Sequence, residues 1–236
     1  MTERGRQHID RNAHNYRIGP SSLRWDGQAL TIDIDEINVP FPMRVRGRVT
    51  VHPEALCRFT TALDHAGRHR WGPIAPCARV QVELESPRLS WSGHAYLDSN
   101  EGDEPVELGF RSWDWARAEM ANRDTAVVYD VRPRHGPDRV VAQRFSRQGE
   151  ATPFNAPLRQ PLPASGWRVA RGMCSEAGST PHVISTLEDA PFYVRSLLQT
   201  RLLGETVTAV HESLDIPRLV SLPVRMMLPW RMPRRG

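Results

Sequence analysis

The sequence predicts an all-β protein, folded as an antiparallel sandwich or barrel. Several short segments alternate apolar and polar residues with a period of two, which is typical of half-buried strands. The 20 prolines and 16 glycines are scattered along most of the chain and supply turn signals between these segments. Strongly helical windows are few, and many short strands joined by turns are typical of sandwiches and barrels. A barrel closes its own edges and can hold an apolar ligand inside.

The N-terminal strands are predicted from alternation and from one turn. Residues 29–39, ALTIDIDEINV, place leucine and isoleucine on one face and threonine and aspartate on the other. The preceding segment 25–28, WDGQ, contains the Asp-Gly pair that favours a tight hairpin. Residues 43–51 alternate in the same way, so we expect a second strand there.

Later strands follow from the same alternation. The predicted segments are 78–85, 125–133, 139–145, 167–173 and 205–214. Residues 134–138, RHGPD, have the composition of a turn and join two of these strands.

Four segments do not follow this simple pattern. Residues 53–67 begin with a proline and end with a glycine, which predicts a helix. Residues 114–122 are good helix formers, but a strand is equally open, and residues 189–204 are ambiguous. Residues 146–166 are rich in proline, serine, glycine and alanine, which predicts a long irregular connection.

Composition excludes several classes of protein. All 31 basic residues are arginines, and against 27 acidic residues they give a net charge of +4. This balance is mild and evenly spread, which argues against nucleic acid as a partner. Three cysteines make no disulfide framework, so we expect a reducing compartment. No apolar run reaches the length of a spanning helix, and the polar N-terminus is not typical of a signal peptide.

The segment 91–107, WSGHAYLDSNEGDEPVE, is the main candidate for chemistry. Read as a strand, it projects His94, Tyr96, Asp98 and Asn100 to one face. If that face lines an apolar cavity, the aspartate loses hydration, which favours its neutral form and suits a general acid. The alternative is that this polar stripe faces water at a sheet edge. The acids after the strand are then interpreted as a solvated turn that includes Glu101, Asp103 and Glu104.

Two metal sites are considered and rejected. Oxygen ligands cluster near Asp98, but Gly102 occupies the fifth place where a calcium loop needs glycine at the sixth. A zinc site lacks any Cys-x-x-Cys pair, and its candidate ligands are interpreted as buried or partly buried cysteines and surface histidines. Those candidates are Cys57, His65, His69 and Cys77. We therefore predict no metal.

Tryptophans lie on both sides of this segment and inside it. Trp113 and Trp115 flank Asp114, and they are consistent either with core packing or with a wall for a flat, conjugated or cationic species. Trp71 lies in a proline-rich stretch, and Trp91 begins the candidate strand. Neither a GxSxG nucleophile motif nor a glycine-rich phosphate loop occurs in the sequence.

These motifs resemble one known family, the carotenoid 1,2-hydratases, also called hydroxyneurosporene synthases. The resemblance begins in 91–107 and continues in FRSWDWARAEM at 110–120. It extends over nearly the whole chain in order, through segments 1–6, 18–36, 69–76 and 226–235. The motifs are long, so the resemblance is specific.

The resemblance implies an enzyme, a hydro-lyase of bacterial carotenoid biosynthesis. It would add water across the terminal C1–C2 double bond of acyclic carotenoids such as neurosporene and lycopene, without a cofactor. The implied fold is lipocalin-like, with two barrel-like halves in tandem. Trp71, Tyr96 and Asp98 match the functional positions of the family. Asp98 would donate the proton, and the two aromatic rings would face the carbocation.

Further residues are assigned to substrate binding or to positioning water. They are His94, Asn100, Trp91, Trp113 and Trp115. The alternative function is a lipocalin-like binder of hydrophobic ligands without catalysis. Replacing Asp98 separates the two, because only the hydratase depends on that acid.

The resemblance also suggests a domain division and a location. We expect a partial N-terminal half over 1–86 and a C-terminal half with the acid motif over 87–236. Family members continue before the segment that matches TERGR, so we expect an N-terminally shortened chain, an incomplete first half and impaired activity. The protein is expected in the cytoplasm, peripheral to the inner photosynthetic membrane. Residues 217–235 would either touch that membrane, through Trp230 and the methionines, or pack on the barrel.

Overall fold

The computed structural model describes residues 3–38, 41–231 and 234–235, and most of them lie in β-strands. Met1 lies outside the described residues. The strands are β1 (Glu3–Arg4), β2 (Ile9–Arg11), β3 (Asn15–Ile18), β4 (Ser21–Trp25), β5 (Leu30–Ile37), β6 (Arg44–Pro53), β7 (Thr61–Ala62), β8 (His69–Ser86), β9 (Leu89–Gly102), β10 (Phe110–Glu119), β11 (Thr125–Pro133), β12 (Arg139–Phe145), β13 (Ala151–Pro153), β14 (Arg159–Leu162), β15 (Arg171–Cys174), β16 (His182–Asp189), β17 (Tyr193–Leu202), β18 (Glu205–Asp215) and β19 (Arg234–Arg235). A 3-10 turn spans Arg6–His8, and the helices are α1 (Val106–Gly109), α2 (Ile216–Leu219) and α3 (Leu222–Arg231).

The chain divides into two compact units that alternate along the sequence. The first unit consists of Met1–Ala55, Ala78–Tyr96 and Arg225–Gly236, and the second of Leu56–Cys77 and Leu97–Val224. The long strands β8 and β9 each have one part in either unit. The single boundary after residue 86 stays a prediction.

The first unit is built from antiparallel hairpins in the order β2-β3-β4-β5-β6-β8. The hairpin turn predicted from WDGQ joins β4 to β5. Gly27 has a φ of +98°, which glycine adopts readily, and the Asp26 carboxylate accepts the backbone N–H groups of Gln28 and Ala29 at 2.9 and 2.8 Å. Alternation then places Leu30 opposite Val51 in the β5–β6 register.

The second unit contains one antiparallel sheet in the order β13-β12-β11-β10-β18-β17-β16. Trp115 of β10 lies opposite Tyr129 of β11 and opposite Glu212 of β18, so these three side chains share one face. The opposite face carries Ala116 and packs against the hairpin β14–β15 through a buried apolar core. That core contains Ala116, Ala118, Met120, Ala126, Val128, Ala142, Leu162, Met173, Cys174, Leu198, Leu202, Val207 and Ala209.

The predicted helix over 53–67 is wrong. This stretch contains the short strand β7 and a turn in place of helical residues. The carboxylate of Asp64 accepts the backbone N–H groups of Arg68 and His69 at 3.0 Å each, an arrangement that competes with helical hydrogen bonds.

Other segments resolve the ambiguities of the sequence. Residues 114–122 belong largely to strand β10, and 189–204 largely to strand β17. The irregular connection 146–166 includes the short strands β13 and β14. The strand predicted at 167–173 begins only at Arg171, because Arg168 takes a φ of +58° in a turn closed on Ser165.

The predicted all-β class is confirmed, but the sheets are open. Among the described strands, neither of the two large sheets returns to its first strand, so each keeps two edges. Barrel closure, which the sequence did not decide, is therefore not seen in the described part of the chain. No helix within the described residues combines the length and the apolar character needed to cross a membrane.

Candidate acid site

Asp98 and Trp71 meet in the second unit. Asp98 lies near the end of β9, and Trp71 lies near the start of β8. The indole Nε1–H of Trp71 donates to Asp98 Oδ2 at 2.8 Å. Trp71 is completely buried and Asp98 is half-buried, so one buried donor holds the carboxyl group in a defined orientation.

Aromatic rings surround the Trp71 indole. Phe59 and Phe145 each lie edge-on to it, with ring centroids 6.1 Å away, and Tyr129 lies edge-on at 5.7 Å. Edge-to-face packing fixes the orientation of the rings, and the face of each ring attracts a positive charge. The carboxyl group of Asp98 is therefore hydrogen-bonded to the central ring of an aromatic cluster.

Tyr129 connects this wall to Asn100. The phenol is buried, and its hydroxyl donates to Asn100 Oδ1 at 3.4 Å. Burial raises the pKa of Tyr129 well above its ordinary value, and the negative charges of Asp98 and Glu212 add to this effect. The phenol is therefore neutral throughout the range in which proteins are folded.

The aromatic cluster extends from Tyr129 to the start of β8. Trp113 contacts Tyr129 at 6.2 Å and Phe110 at 5.7 Å between ring centroids. Phe110 in turn contacts the ring of His69 at 4.6 Å. Trp113 is thus part of the cluster that contains Trp71, which agrees both with core packing and with a wall for a ligand.

His69 is a site neighbour that the sequence did not reveal. It was interpreted as a surface histidine, but its side chain is buried, and Nδ1 lies 2.6 Å from Asp64 Oδ2. Nε2 lies 3.2 Å from the carbonyl oxygen of Glu104, so both ring nitrogens face acceptors, and the imidazolium form donates to both. The signal was the spacing of two between His69 and Trp71, which places both on one face of a strand.

Asp64 has a pKa below its ordinary value. Burial raises this pKa, but the hydrogen bonds from His69 and from the backbone N–H of Arg68 outweigh burial. The ionised carboxylate therefore orients His69 and closes the turn before β8.

The remaining predicted site residues have different positions. Trp115 is buried on the same face of β10 as Trp113, whereas Asn100 is exposed. Tyr96, His94 and Trp91 lie on the part of β9 that belongs to the first unit. Tyr96 is half-buried there, and His94 and Trp91 are exposed.

Of the acids that follow Asp98, Asp103 and Glu104 lie in the bend after β9, as predicted for a turn, and both form ion pairs. Glu104 binds Arg68 at 2.5 Å, and Asp103 binds Arg70 at 3.1 Å. The hydrogen bond from Arg70 lowers the pKa of Asp103. Glu101 lies inside β9, not beyond it. These pairs join the end of β9 to the start of β8 and so help to bring Asp98 beside Trp71.

The two larger clefts do not include the acid. In the second unit, a cleft of about 340 Å³ is lined by Asp64, His65, Arg68 and Glu104 among others. In the first unit, a charged cleft of about 490 Å³ is lined by paired acids and arginines. Because hydrogen bonding and aromatic enclosure converge on Asp98, we place the site there and not at the larger clefts. Among the described residues, no group of three or more His, Cys, Asp or Glu side chains is arranged to hold a metal.

The fold and the site together define an all-β, lipocalin-like protein with an aspartate hydrogen-bonded to the buried tryptophan of an aromatic cluster. A family model described as carotenoid hydratase CrtC matches residues 1–236, and the chain belongs to that family. The resemblance noted in the sequence motifs is thereby confirmed.

Several acyclic carotenoid 1,2-hydratases match the chain over its full length. The acyclic carotenoid 1,2-hydratase of Rubrivivax gelatinosus is 60% identical over 236 residues, and that of Thiocapsa roseopersicina is 53% identical over 237 residues. The chain spans 58% of the length of each of these two proteins. The acyclic carotenoid 1,2-hydratase of Cereibacter sphaeroides is 33% identical over 236 residues, and 84% of its length is covered.

One solved structure has a similar fold. A putative AttH from Nitrosomonas europaea matches with a TM-score of 0.61, over 89% of this chain and 72% of the other. Sequence identity is 10%, so the likeness concerns the fold alone. It supports the all-β, lipocalin-like class.

Proposed function

We propose that the protein hydrates the terminal C1–C2 double bond of acyclic carotenoids such as neurosporene and lycopene. The observation that carries this proposal is the Trp71–Asp98 hydrogen bond inside the aromatic cluster. Membership of the carotenoid hydratase family and similarity to two acyclic carotenoid 1,2-hydratases support the reaction class. The proposed reaction needs no cofactor, because an acid, aromatic rings that stabilise a cation, and water are sufficient for it.

In the proposed mechanism, the carboxylic acid of Asp98 protonates C2 of the terminal double bond. The π electrons form the new C–H bond and leave a tertiary carbocation at C1. The Trp71 N–H holds Oδ2 as an acceptor, so we assign the transferred proton to Oδ1. Water then forms the C1–O bond, and the resulting oxonium ion loses a proton to the Asp98 carboxylate. One water is consumed and the acid is restored.

Aromatic rings stabilise the cation without reacting with it. A desolvated cation over an aromatic face gains about 0.5–2 kcal/mol. Trp71 offers one such ring in the site. Tyr96, two residues before Asp98 on β9, shares the face of that strand and is the second ring that the family resemblance implies.

The test of this proposal replaces Asp98 by asparagine. We expect Asp98→Asn to lower formation of the 1-hydroxy product by at least about 100-fold, since an amide cannot deliver the proton. Asp138→Asn is the matched control, because Asp138 is an exposed acid of the same unit that binds Arg111 at 3.2 Å, and we expect at most a small change. Product is measured by chromatography after incubation with lycopene in detergent micelles.

Two outcomes would count against the proposal. Retention of product formation by Asp98→Asn would remove Asp98 as the acid. Binding of lycopene without product in the unaltered chain would favour the alternative, a lipocalin-like binder without catalysis. Chelator is added to all reactions, and loss of activity there would indicate a metal-dependent reaction.

We also propose that the protein meets its substrate at a membrane surface and is a peripheral protein of the cytoplasmic side. A polyene of this class dissolves in a bilayer and not in water. Helix α3 offers an apolar surface for such contact, since Leu222, Met226 and Met227 are all exposed. Trp230, which the sequence assigned to the same contact, lies outside the residues whose side chains are described.

A further inference from the structure

Four side chains of the second unit form a closed ring. Trp71 donates to Asp98 at 2.8 Å, and the rings of Trp71 and Tyr129 are in edge-to-face contact at 5.7 Å. Tyr129 donates to Asn100 Oδ1 at 3.4 Å. Asn100 follows Asp98 by two residues on β9, so both project to the same face and the strand closes the ring.

We infer that Tyr129 is a positioning residue of the hydration reaction, which holds Asn100 so that the two together orient the water that captures the carbocation. The inference rests on the proposed function. Sequence reasoning named Asn100 as a candidate for positioning water but did not single out Tyr129.

The spacing of the ring suits this reaction. Residues two apart on a strand are separated by roughly 6.6 Å. The proton is delivered to C2 and water attacks the adjacent C1, each from about 3–3.5 Å. The acid and the attacking water, placed at the two ends of the C1–C2 bond, are therefore several ångströms apart. A water hydrogen-bonded to Asn100 at about 2.8 Å lies at a comparable distance from Asp98.

The hydrogen-bonding capacity of the pair also suits an attacking water. The Tyr129 hydroxyl gives its only hydrogen to Asn100, so its oxygen can accept one from water. Asn100 Oδ1 retains a second lone pair for the other water hydrogen. A water held by both hydrogens directs its own lone pair outward, towards the cation.

Neutrality of these acceptors protects the enzyme. A phenolate next to a tertiary carbocation would bond to C1 through its oxygen and form an aryl ether. Burial raises the pKa of Tyr129, and the charge of Asp98 raises it further, so the hydroxyl keeps its proton. Asn100 is exposed, which gives water a route to this pair from solvent.

The test uses methanol as a competing nucleophile in the lycopene assay. Methanol captures the same cation, loses its hydroxyl proton and gives a 1-methoxy product in place of the 1-hydroxy product. Tyr129→Phe keeps the ring and removes the hydroxyl. We expect the methoxy-to-hydroxy ratio to rise about three- to tenfold, and kcat for hydration to fall by a similar factor, because one positioning hydrogen bond is lost. KM should stay within about twofold, because ring contacts are kept.

A merely structural role of Tyr129 predicts a different result. Loss of active protein lowers both products in proportion and leaves the ratio unchanged, which would overturn the inference. Tyr193→Phe is the matched control, since Tyr193 is a half-buried phenol on β17 of the same sheet. Its ratio should equal that of the unaltered chain.

Asn100→Ala provides an independent variant. Because Asn100 is exposed, its replacement carries the test even if Tyr129→Phe fails to fold. We expect the methoxy-to-hydroxy ratio to rise as it does in Tyr129→Phe. The double variant should raise the ratio no further, since each single change already disrupts the pair that holds the water. An unchanged ratio in Asn100→Ala, or additive effects in the double variant, would overturn the inference.

The two proposals fail in different ways. If Asp98→Asn abolishes product but Tyr129→Phe leaves rate and ratio unchanged, the inference is wrong and the proposed function stands. If the unaltered chain forms neither product, the proposed function is wrong and the inference falls with it.

Discussion

Trp71 determines the geometry of the acid site at the scale of single residues. Its one N–H binds Asp98, and its ring contacts Phe59, Tyr129 and Phe145. A buried polar group needs a partner, because an unsatisfied donor costs about 1–3 kcal/mol. Trp71 and Asp98 therefore stabilise each other's positions, and Tyr129 packs against the ring that is held in this way.

The pair formed by Asp64 and His69 makes stability depend on pH. The pKa of Asp64 is lowered in the folded chain, so its contribution to stability is fully present above the unfolded pKa of about 3.9. That contribution is lost as the pH falls through the folded pKa. We expect Asp64→Asn to reduce the free energy of unfolding by about 1–3 kcal/mol near pH 7. The difference from the unaltered chain should shrink below about pH 4.

Urea unfolding at pH 7, 5 and 3.5 measures this effect. Asp138→Asn is the control, since Asp138 is an exposed acid that binds the exposed Arg111. A loss of stability that stays constant across the three pH values would show that the Asp64 charge is not its cause.

The sequence predicted some site residues and missed others for a physical reason. Asp98 and Asn100 share a face because of the local period of two, which can be seen in one strand. Tyr129 reaches Asn100 only because β11 and β9 come together in the fold, and the local sequence contains no sign of this contact. His69 was misassigned because its burial depends on Phe110 and Asp64, which are brought to it by other segments.

At the scale of elements, a buried ionic cluster fastens the hairpin β14–β15 to the large sheet. Asp114 of β10 accepts hydrogen bonds from Arg132 of β11 at 3.0 Å and from Arg159 of β14 at 2.9 Å. It also accepts from Ser213 of β18 at 2.5 Å and from the backbone N–H of Gly172 of β15 at 3.3 Å. One carboxylate thus joins five strands.

Removal of the Asp114 carboxylate should weaken the attachment of the β14–β15 hairpin to the large sheet. We expect Asp114→Ala to lower the free energy of unfolding by about 2–3 kcal/mol, because Ser213 and the backbone N–H of Gly172 lose a buried acceptor, while Arg132 and Arg159 keep only Asp130. The measurement is chemical unfolding followed by circular dichroism. Asp33→Ala, which breaks an exposed ion pair with Arg48 in the first unit, is the control and should cost much less. Equal losses in the two variants would contradict the assigned role.

Strands were predicted better than helices, and the reason is local. Strands β11 and β12 have the bounds predicted for them, 125–133 and 139–145. The signals for this hairpin are local, because both the alternation and the turn at 134–138 lie within its own sequence. The failed helix at 53–67 satisfies the rules for helix ends but is overridden by the bonds of Asp64 to the backbone. Propensity is a weak prior where a side chain offers the backbone another partner.

At the scale of the whole molecule, composition and periodicity predicted the all-β class but not the openness of the sheets. Closure depends on which edge strands find a partner, and this is decided by segments far apart in sequence. The boundary predicted after residue 86 stays a prediction, and the two compact units divide within β8 and within β9. Alternation along the chain does not show where a long strand passes from one compact unit to the other.

The charge distribution of the whole chain leads to the last prediction, which concerns membrane binding. The net charge is +4, and residues 216–236 contain five arginines and no acid. Within this segment α3 exposes Leu222, Met226 and Met227. Apolar side chains flanked by arginine are typical of helices that lie on anionic bilayers. We expect the chain to sediment with vesicles that contain phosphatidylglycerol and to be released as salt rises, since salt screens surface charge.

Leu222→Ser combined with Met226→Ser should weaken this binding at least about tenfold, because each side chain contributes up to roughly 1.5–3 kcal/mol when fully transferred out of water. Leu187→Ser is the control, since Leu187 is an exposed apolar residue on the edge strand β16. Equal weakening by the control would indicate that exposed apolar residues act in general and that α3 has no special part. Binding that does not change with salt would exclude the arginines as its electrostatic component, and the membrane contact would then rest on apolar burial alone.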